Sequence, residues 1–320
     1  MRPVSVVLAL LILLLAGCGD EGGGGSGGGE SEAQTLKVGV IPIADVAPLY
    51  VGMEQGFFED EGLTIEPQLA EGGAAIVPSV ISGDYQIGFS NTTSLIIAAS
   101  KNLPVQIISQ GVLAGTGEDD AWDALLVPKG SDIKAPADLE GKTVAVNTLN
   151  NVGPLTINTA MKEAGADYTT IKYVEVPFPD MNAALEAKRV DAAWVVEPGF
   201  TGGLAAGSKP LFHPYEETAE NLTVATYFAS KQYIGENRDT VDGFVRAMEK
   251  SLDYASQNPD AVRKAVGGYT EIPVEVTDKM RLPVWRADLN EATIQQTADL
   301  AKEYGFVEEV PSLDDLILRD

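Results

Sequence analysis

From Leu36 onward, short apolar runs alternate with stretches whose apolar residues recur at helical spacing. Leu36, Val38, Val40 and Ile41 read as a buried strand, rich in β-branched residues. Ile43–Ala47 is a loop, and Pro48 suits the first turn of a helix, where its missing N–H costs nothing. Leu49, Met53, Phe57 and Phe58 give that helix one apolar face, Gly62 ends it, and Leu63–Leu69 starts a second strand. The rhythm continues with a helix inside Gly72–Ser82, against which Pro78 is a local objection, and a strand at Ile87–Phe89. A helix capped within Ser90–Thr93 comes next, then strands at Val105–Ile108 and Ala124–Val127. Further on come strands at Thr143–Val146, Ile171–Val176, Val190–Val196 and Thr223–Ala229, with helices at Pro154–Ala164 and, capped by Asp180, Met181–Lys188. Residues Lys231–Tyr304 are mostly amphipathic helix. This alternation predicts an α/β fold with mixed sheets flanked by helices.

The segment GVIPIADVAPLYVGMEQGFFEDEGLTIE, followed by GGAAIVPSVISGDYQIGFS, resembles the SsuA/THI5-like (NMT1-like) substrate-binding proteins of ABC importers, and the likeness runs from about Leu36 to Tyr304. The resemblance implies a two-lobed periplasmic-binding-protein type II fold with a cleft between the lobes. Lobe 1 is expected at 36–121 and 227–320, and lobe 2 at 122–226. Family ligands include sulfonates, taurine, nitrate, bicarbonate and pyrimidine vitamin precursors. The implied function is capture of a small polar solute and its delivery to an ABC permease whose ATPase subunit is a separate chain. Sensing or scavenging without transport is the alternative, and an enzyme of the pyrimidine-synthase type is a weaker one.

The N-terminus changes the setting. Arg2 precedes an apolar run, Val6–Leu15, too short to span a bilayer, and Leu15-Ala16-Gly17-Cys18 looks like a bacterial lipobox. Residues 1–18 are thus expected to be a lipoprotein signal peptide, with lipidation on Cys18 and anchoring to the extracytoplasmic face of the cell membrane. Residues 19–35, rich in Gly, Ser and Glu, form a tether whose random-coil reach is on the order of 20–25 Å.

Composition removes several function classes. The formal charge is −25, from 47 acidic against 22 basic side chains, which repels nucleic acid phosphates. One cysteine excludes an intrachain disulfide, and one histidine, His213, excludes a multi-His metal centre. The cysteine-rich motif of the pyrimidine synthases is absent, as is a P-loop, so the expectation is a monomeric non-enzyme with no cofactor and no metal.

In an open α/β sheet, ligands sit outside the carboxyl ends of strands, where helix N-termini offer unpaired N–H groups. The loops at such ends are Ala44–Pro48, Gly72–Ala74, Ser90–Thr93, Asn147–Gly153 and Pro177–Met181, with Glu197 beside them. The candidate ligand-binding residues are therefore Asp45, Tyr50, Gly73, Ser90, Asn91, Thr92, Asn147, Asn150, Asn151, Phe178 and Glu197. None of the five loops holds Lys or Arg, and a carboxylate about 4 Å from an anion costs about 4 kcal/mol near a protein surface. Carboxylates and amides favour a nitrogenous or zwitterionic ligand such as an aminopyrimidine.

Overall fold

The computed structural model describes residues 33–270 and 272–319. The expected signal peptide, its lipobox Cys18 and the tether up to residue 32 lie outside these residues. Ten strands form two sheets. In chain order they are β1 (Gln34–Val40), β2 (Leu63–Leu69), β3 (Ile87–Asn91), β4 (Val105–Leu113), β5 (Asp123–Val127), β6 (Thr143–Val146), β7 (Lys172–Glu175), β8 (Ala192–Val196), β9 (Lys209–Phe212) and β10 (Thr223–Ser230). The first sheet has the order β2-β1-β3-β10-β4, and the second β7-β6-β8-β5-β9. Both are mixed: β1 runs parallel to β2 and β3, whereas β10 is antiparallel to β3 and β4. In the second sheet β6 is parallel to β7 and β8, and β5 is antiparallel to β8 and β9.

The helices that flank the sheets are α1 (Ala47–Glu54), α2 (Gly73–Ser82), α3 (Thr92–Ser100), α4 (Val152–Glu163), α5 (Phe178–Glu186), α6 (Gly199–Ala205) and α7 (Pro214–Thr218). After β10 come α8 (Lys231–Glu236), α9 (Arg238–Gln257), α10 (Pro259–Thr270), α11 (Val274–Thr277), α12 (Glu291–Glu303) and α13 (Leu313–Leu316). Helix α9 buries Val241, Phe244, Ala247, Met248, Leu252 and Ala255, the i, i+3, i+4, i+7 stripe of a helix with one apolar face, and packs against α1. Each large side chain so buried contributes roughly 1.5–3 kcal/mol relative to exposure.

Several elements differ from the sequence expectation. Helix α1 stops at Glu54, because Gly56 takes a left-handed φ of 77°, so Phe57 and Phe58 lie beyond it, before a short 3-10 turn ending at Gly62. Pro78 sits inside α2, which continues through it on an exposed face. Strand β4 runs on past Ile108 to Leu113, through polar Gln110 and Gly111, because β10 pairs with it along that length. Strand β9 carries no apolar alternation that would announce it. Helix α5 starts at Phe178 with Pro177 as its cap, so Asp180 lies in the first turn and is not the cap. Finally, β1 begins at Gln34, inside the expected tether, and β10 belongs to the first sheet from Thr223, so the return from the second sheet is complete before residue 227.

The chain therefore crosses between the sheets twice, once between β4 and β5 and once between β9 and β10. The two crossings are bonded to each other: Ala114 N–H donates to Leu222 O at 2.9 Å, and Asn221 N–H to Gly115 O at 3.0 Å. Paired crossings of this kind are what a hinge between two lobes requires.

Candidate ligand-binding site

Loops at the carboxyl ends of β1, β3 and β6 meet the start of α5 and the end of β8 around one small cavity. Its polar lining is Asp45, Asn91, Asn147 and Asn151. Its apolar lining includes Phe178, Trp194, Tyr215, Phe89 and Ile43. Its volume is about 20 Å³, about what a single water needs. Two larger hollows, of 430 Å³ and 360 Å³, open on the same side and share Pro42, Leu69, Phe178 and Pro179. Phe178 lines all three spaces and so forms the wall between the inner cavity and its entrance.

Asp45 sits in a 3-10 turn between β1 and α1, buried to 3% exposure, with Oδ1 left without a hydrogen-bond donor. Burial pushes its carboxyl up to about 8, so at neutral pH it holds its proton. A protonated carboxyl both donates and accepts.

The amides are organised by the helices they start. Asn91 caps α3: its Oδ1 accepts Ser94 N–H at 2.9 Å and its Nδ2 donates to Ser94 Oγ at 3.0 Å. Asn151 caps α4 by accepting Val152 N–H, and its Nδ2 donates to Asn147 Oδ1 at 3.0 Å and to Thr148 Oγ1. Asn147 caps nothing. Its amide nitrogen lies beside Gly72, where an added Cβ would come 3.2 Å from it, so the amide from the loop after β6 of the second sheet rests against the loop before α2.

Gly73 opens α2 and is buried against Ser90; a Cβ there would lie 2.1 Å from Ser90 Oγ, which makes glycine the residue that fits. Ser90 is fully buried beneath that loop and donates to Asn91 O. Thr92 spends its hydroxyl on Thr223 O at 2.7 Å, tying α3 to β10. Neither Gly73, Ser90 nor Thr92 lines the cavity; they hold the loops that do.

Three candidates need correction. Tyr50 does not face the cavity: its ring stacks on Tyr269 at 4.0 Å, and Tyr269 in turn donates to Ile43 O at the entrance. Asn150 is exposed, with a left-handed φ of 48°, because it forms the turn between β6 and α4. Glu197 is fully buried at the entrance hollow but its carboxylate is already engaged: Oε2 accepts Thr201 N–H at 3.0 Å, and Oε1 accepts Thr201 Oγ1 at 2.7 Å and Arg281 N–H at 3.0 Å. Its side chain joins the end of β8 to the C-terminal segment, and its backbone carbonyl joins it to the loop after β1 by accepting Ala44 N–H at 2.9 Å.

Apart from Phe178, sequence reasoning missed the apolar and aromatic lining, Trp194 and Tyr215 above all. Trp194, in the apolar strand β8, reads as core, yet one side of it borders the cavity while its Nε1–H donates to Asp123 Oδ2 at 3.0 Å. Tyr215 lies in α7, where only His213 drew notice. His213 itself is buried at the second crossing, with Nδ1 against Asp123 O, and does not line the cavity.

The sequence model of the family described as NMT1/THI5 like matches residues 43–262. The taurine-binding periplasmic protein of Escherichia coli is 29% identical over 231 residues, 72% of this chain and 69% of that protein. The formylaminopyrimidine-binding protein of Halalkalibacterium halodurans is 24% identical over 222 residues, 66% of this chain and 63% of that protein. A 4-amino-5-hydroxymethyl-2-methylpyrimidine phosphate synthase of Aspergillus parasiticus is 22% identical over 232 residues, 67% of this chain and 64% of that protein. Among solved structures, the ligand-binding component of an ABC-type import system from Staphylococcus aureus superposes with a TM-score of 0.77 at 15% identity, covering 89% of this chain and 96% of that one. The alkanesulfonate-binding protein of Xanthomonas axonopodis pv. citri gives 0.76 at 17% identity, covering 89% and 99%.

Proposed function

Because the chain belongs to the NMT1/THI5-like family, we propose that it is the extracytoplasmic solute-binding protein of an ABC importer, a monomer that captures a small solute between its lobes and presents it to a permease. The observation that carries this reading is the convergence of Asp45, Asn91, Asn147, Asn151 and Phe178, from loops of two separate sheets, on one small cavity. The cavity is far smaller than the roughly 300–1,000 Å³ of a ligand site, so entry requires the lobes to part at the paired crossings. A lipid on Cys18 would hold the protein at the outer face of the membrane, with residues 19–33 as tether.

The solute is a flat heterocycle of the aminopyrimidine type. A neutral Asp45 carboxyl offers one donor and one acceptor side by side, the complement of a ring nitrogen next to an exocyclic amine. Phe178 and Trp194, with ring centroids 5.4 Å apart, supply apolar faces. No Lys or Arg lines the cavity to answer a sulfonate or nitrate. Catalysis of the synthase type has little support, since the sole histidine stands outside the cavity.

Calorimetric titration with an aminopyrimidine, taurine, an alkanesulfonate and nitrate tests both levels. Selective binding of the aminopyrimidine, weakened by Asp45→Ala and retained by Asp45→Asn, whose amide keeps one donor and one acceptor, is expected. Preference for an anion would overturn the ligand class alone; chemical conversion of any of the four would overturn the binding-protein reading itself.

A further inference from the structure

We propose that the hinge carries a site for a divalent transition-metal ion, ligated by Asp123, His213 and Glu216. The site stands apart from the solute cavity and does not depend on which solute that cavity takes. Asp123 is the first residue of β5, directly after the outward crossing, while His213 and Glu216 lie at the cap and in the body of α7, on the return crossing. One carboxylate oxygen of Asp123, one of Glu216 and a ring nitrogen of His213 all lie within 4.8 Å of one another.

The cluster holds more than proximity. Asp123 is wholly buried; Oδ2 accepts the Trp194 indole N–H, and Oδ1 has no donor. Glu216 repeats the pattern: Oε1 accepts Gly115 N–H at 2.9 Å, and Oε2 is buried without a partner. Each carboxyl thus has one oxygen fixed by an N–H donor, while its other oxygen lies beside the neighbouring carboxyl. His213 is fixed in the same way, its Nδ1 bonded to the Asp123 carbonyl, which leaves Nε2 with its lone pair. A ligand oriented through its second atom is the usual arrangement around a bound metal.

Charge points the same way. Two carboxyls this close, one wholly buried and one half-buried, either share a proton or meet a counter-charge, and no salt bridge among the described residues includes either of them. Arg281 gives its guanidinium to the carbonyl oxygens of Glu118 and Ala121 instead. A divalent ion would neutralise the pair, and one imidazole with two carboxylates is a donor set of the Zn²⁺ class, with the fourth position left to water. A 340 Å³ hollow lined by His213, Glu216, Glu217 and Glu118 reaches two of the three ligands from outside.

Bound there, the ion would clamp one crossing to the other and stiffen the hinge. Through Asp123 Oδ2 it would also bear on Trp194, whose ring borders the solute cavity.

The test is titration of the purified, chelator-treated full-length chain with Zn²⁺, followed by calorimetry and thermal melting, and with Co²⁺ followed by its visible absorption. Expected are one Zn²⁺ per chain, a melting temperature that rises with free Zn²⁺, and Co²⁺ bands of a low-symmetry nitrogen–oxygen site. His213→Ala and Glu216→Gln should each weaken binding more than about 10-fold. Glu216→Gln keeps the side chain's size, so it decides the matter if His213→Ala does not fold. Absence of stoichiometric binding, which leaves a proton shared by the two carboxyls, would overturn the proposal. So would Zn²⁺ binding that Glu216→Gln leaves unchanged, which places the ion on the acidic surface.

Discussion

Oε1 of Glu197 accepts the backbone N–H of Arg281 at 3.0 Å, fastening the end of the second sheet's strand β8 to the segment that follows α11. With both Thr201 contacts included, three donors point at this one carboxylate. In Glu197→Gln the amide –NH₂ must face at least one of those donors. The cost expected is about 1–3 kcal/mol, read as a lower urea midpoint. The lobes should also part more readily, seen as a larger radius of gyration in solution scattering.

Acid should stabilise the protein across a defined window. Burial raises Asp45 from 3.8 to about 8 and Glu197 from 4.5 to about 7 in the folded chain. The folded state therefore binds these protons more tightly than the unfolded state, so their contribution is complete below the unfolded values and is lost as pH rises through the folded ones. Melting temperature should fall between about pH 4 and about pH 8, and Asp45→Asn should flatten that slope. A melting temperature that climbs through this window would contradict the burial of both groups.

The asparagines separate stability from binding. Asn91 and Asn151 are helix caps, so Asn91→Ala and Asn151→Ala should each cost about 0.5–2 kcal/mol of folding stability. Asn147 caps no helix and borders the cavity, so Asn147→Ala should lower solute affinity with a smaller change in the denaturation midpoint. Equal losses of stability for all three would show that Asn147 is structural too.

Phe178 is half-buried and divides the inner cavity from the entrance. Phe178→Ala should merge the spaces, speed solute release in stopped-flow measurements and leave the melting temperature nearly unchanged. A drop as large as the roughly 3–5 kcal/mol of a core Phe→Ala change would instead place the ring in the core.

Cys18→Ala tests the anchor without reference to the fold. Loss of lipidation should move the protein from the membrane to the soluble fraction on centrifugation.

The α/β class and the family were legible because β-branched runs such as Leu36–Ile41 and the stripe on α9 follow single-period rules. Loops at strand ends could be named for the same reason. Which side chain in a loop faces inward could not, since that depends on turns that sequence does not display. Asn150 and Asn151 are neighbours in an amide-rich loop, yet a left-handed turn exposes the first and buries the second as a cap. Glu197 had the right position but its lone pairs were claimed by Arg281, 84 positions away in the chain. Trp194 was hidden by its strand, whose uniformly apolar run gives no sign that one residue has a face on the cavity.

Strand β10 lies between β3 and β4, and those two strands touch only through it. The first sheet thus stays split, with two open edges, until the ribosome has made residues 223–230, by which time every strand of the second sheet has been made. A nascent chain shorter than this has no complete first sheet, and its bare strand edges are open to pairing with another copy.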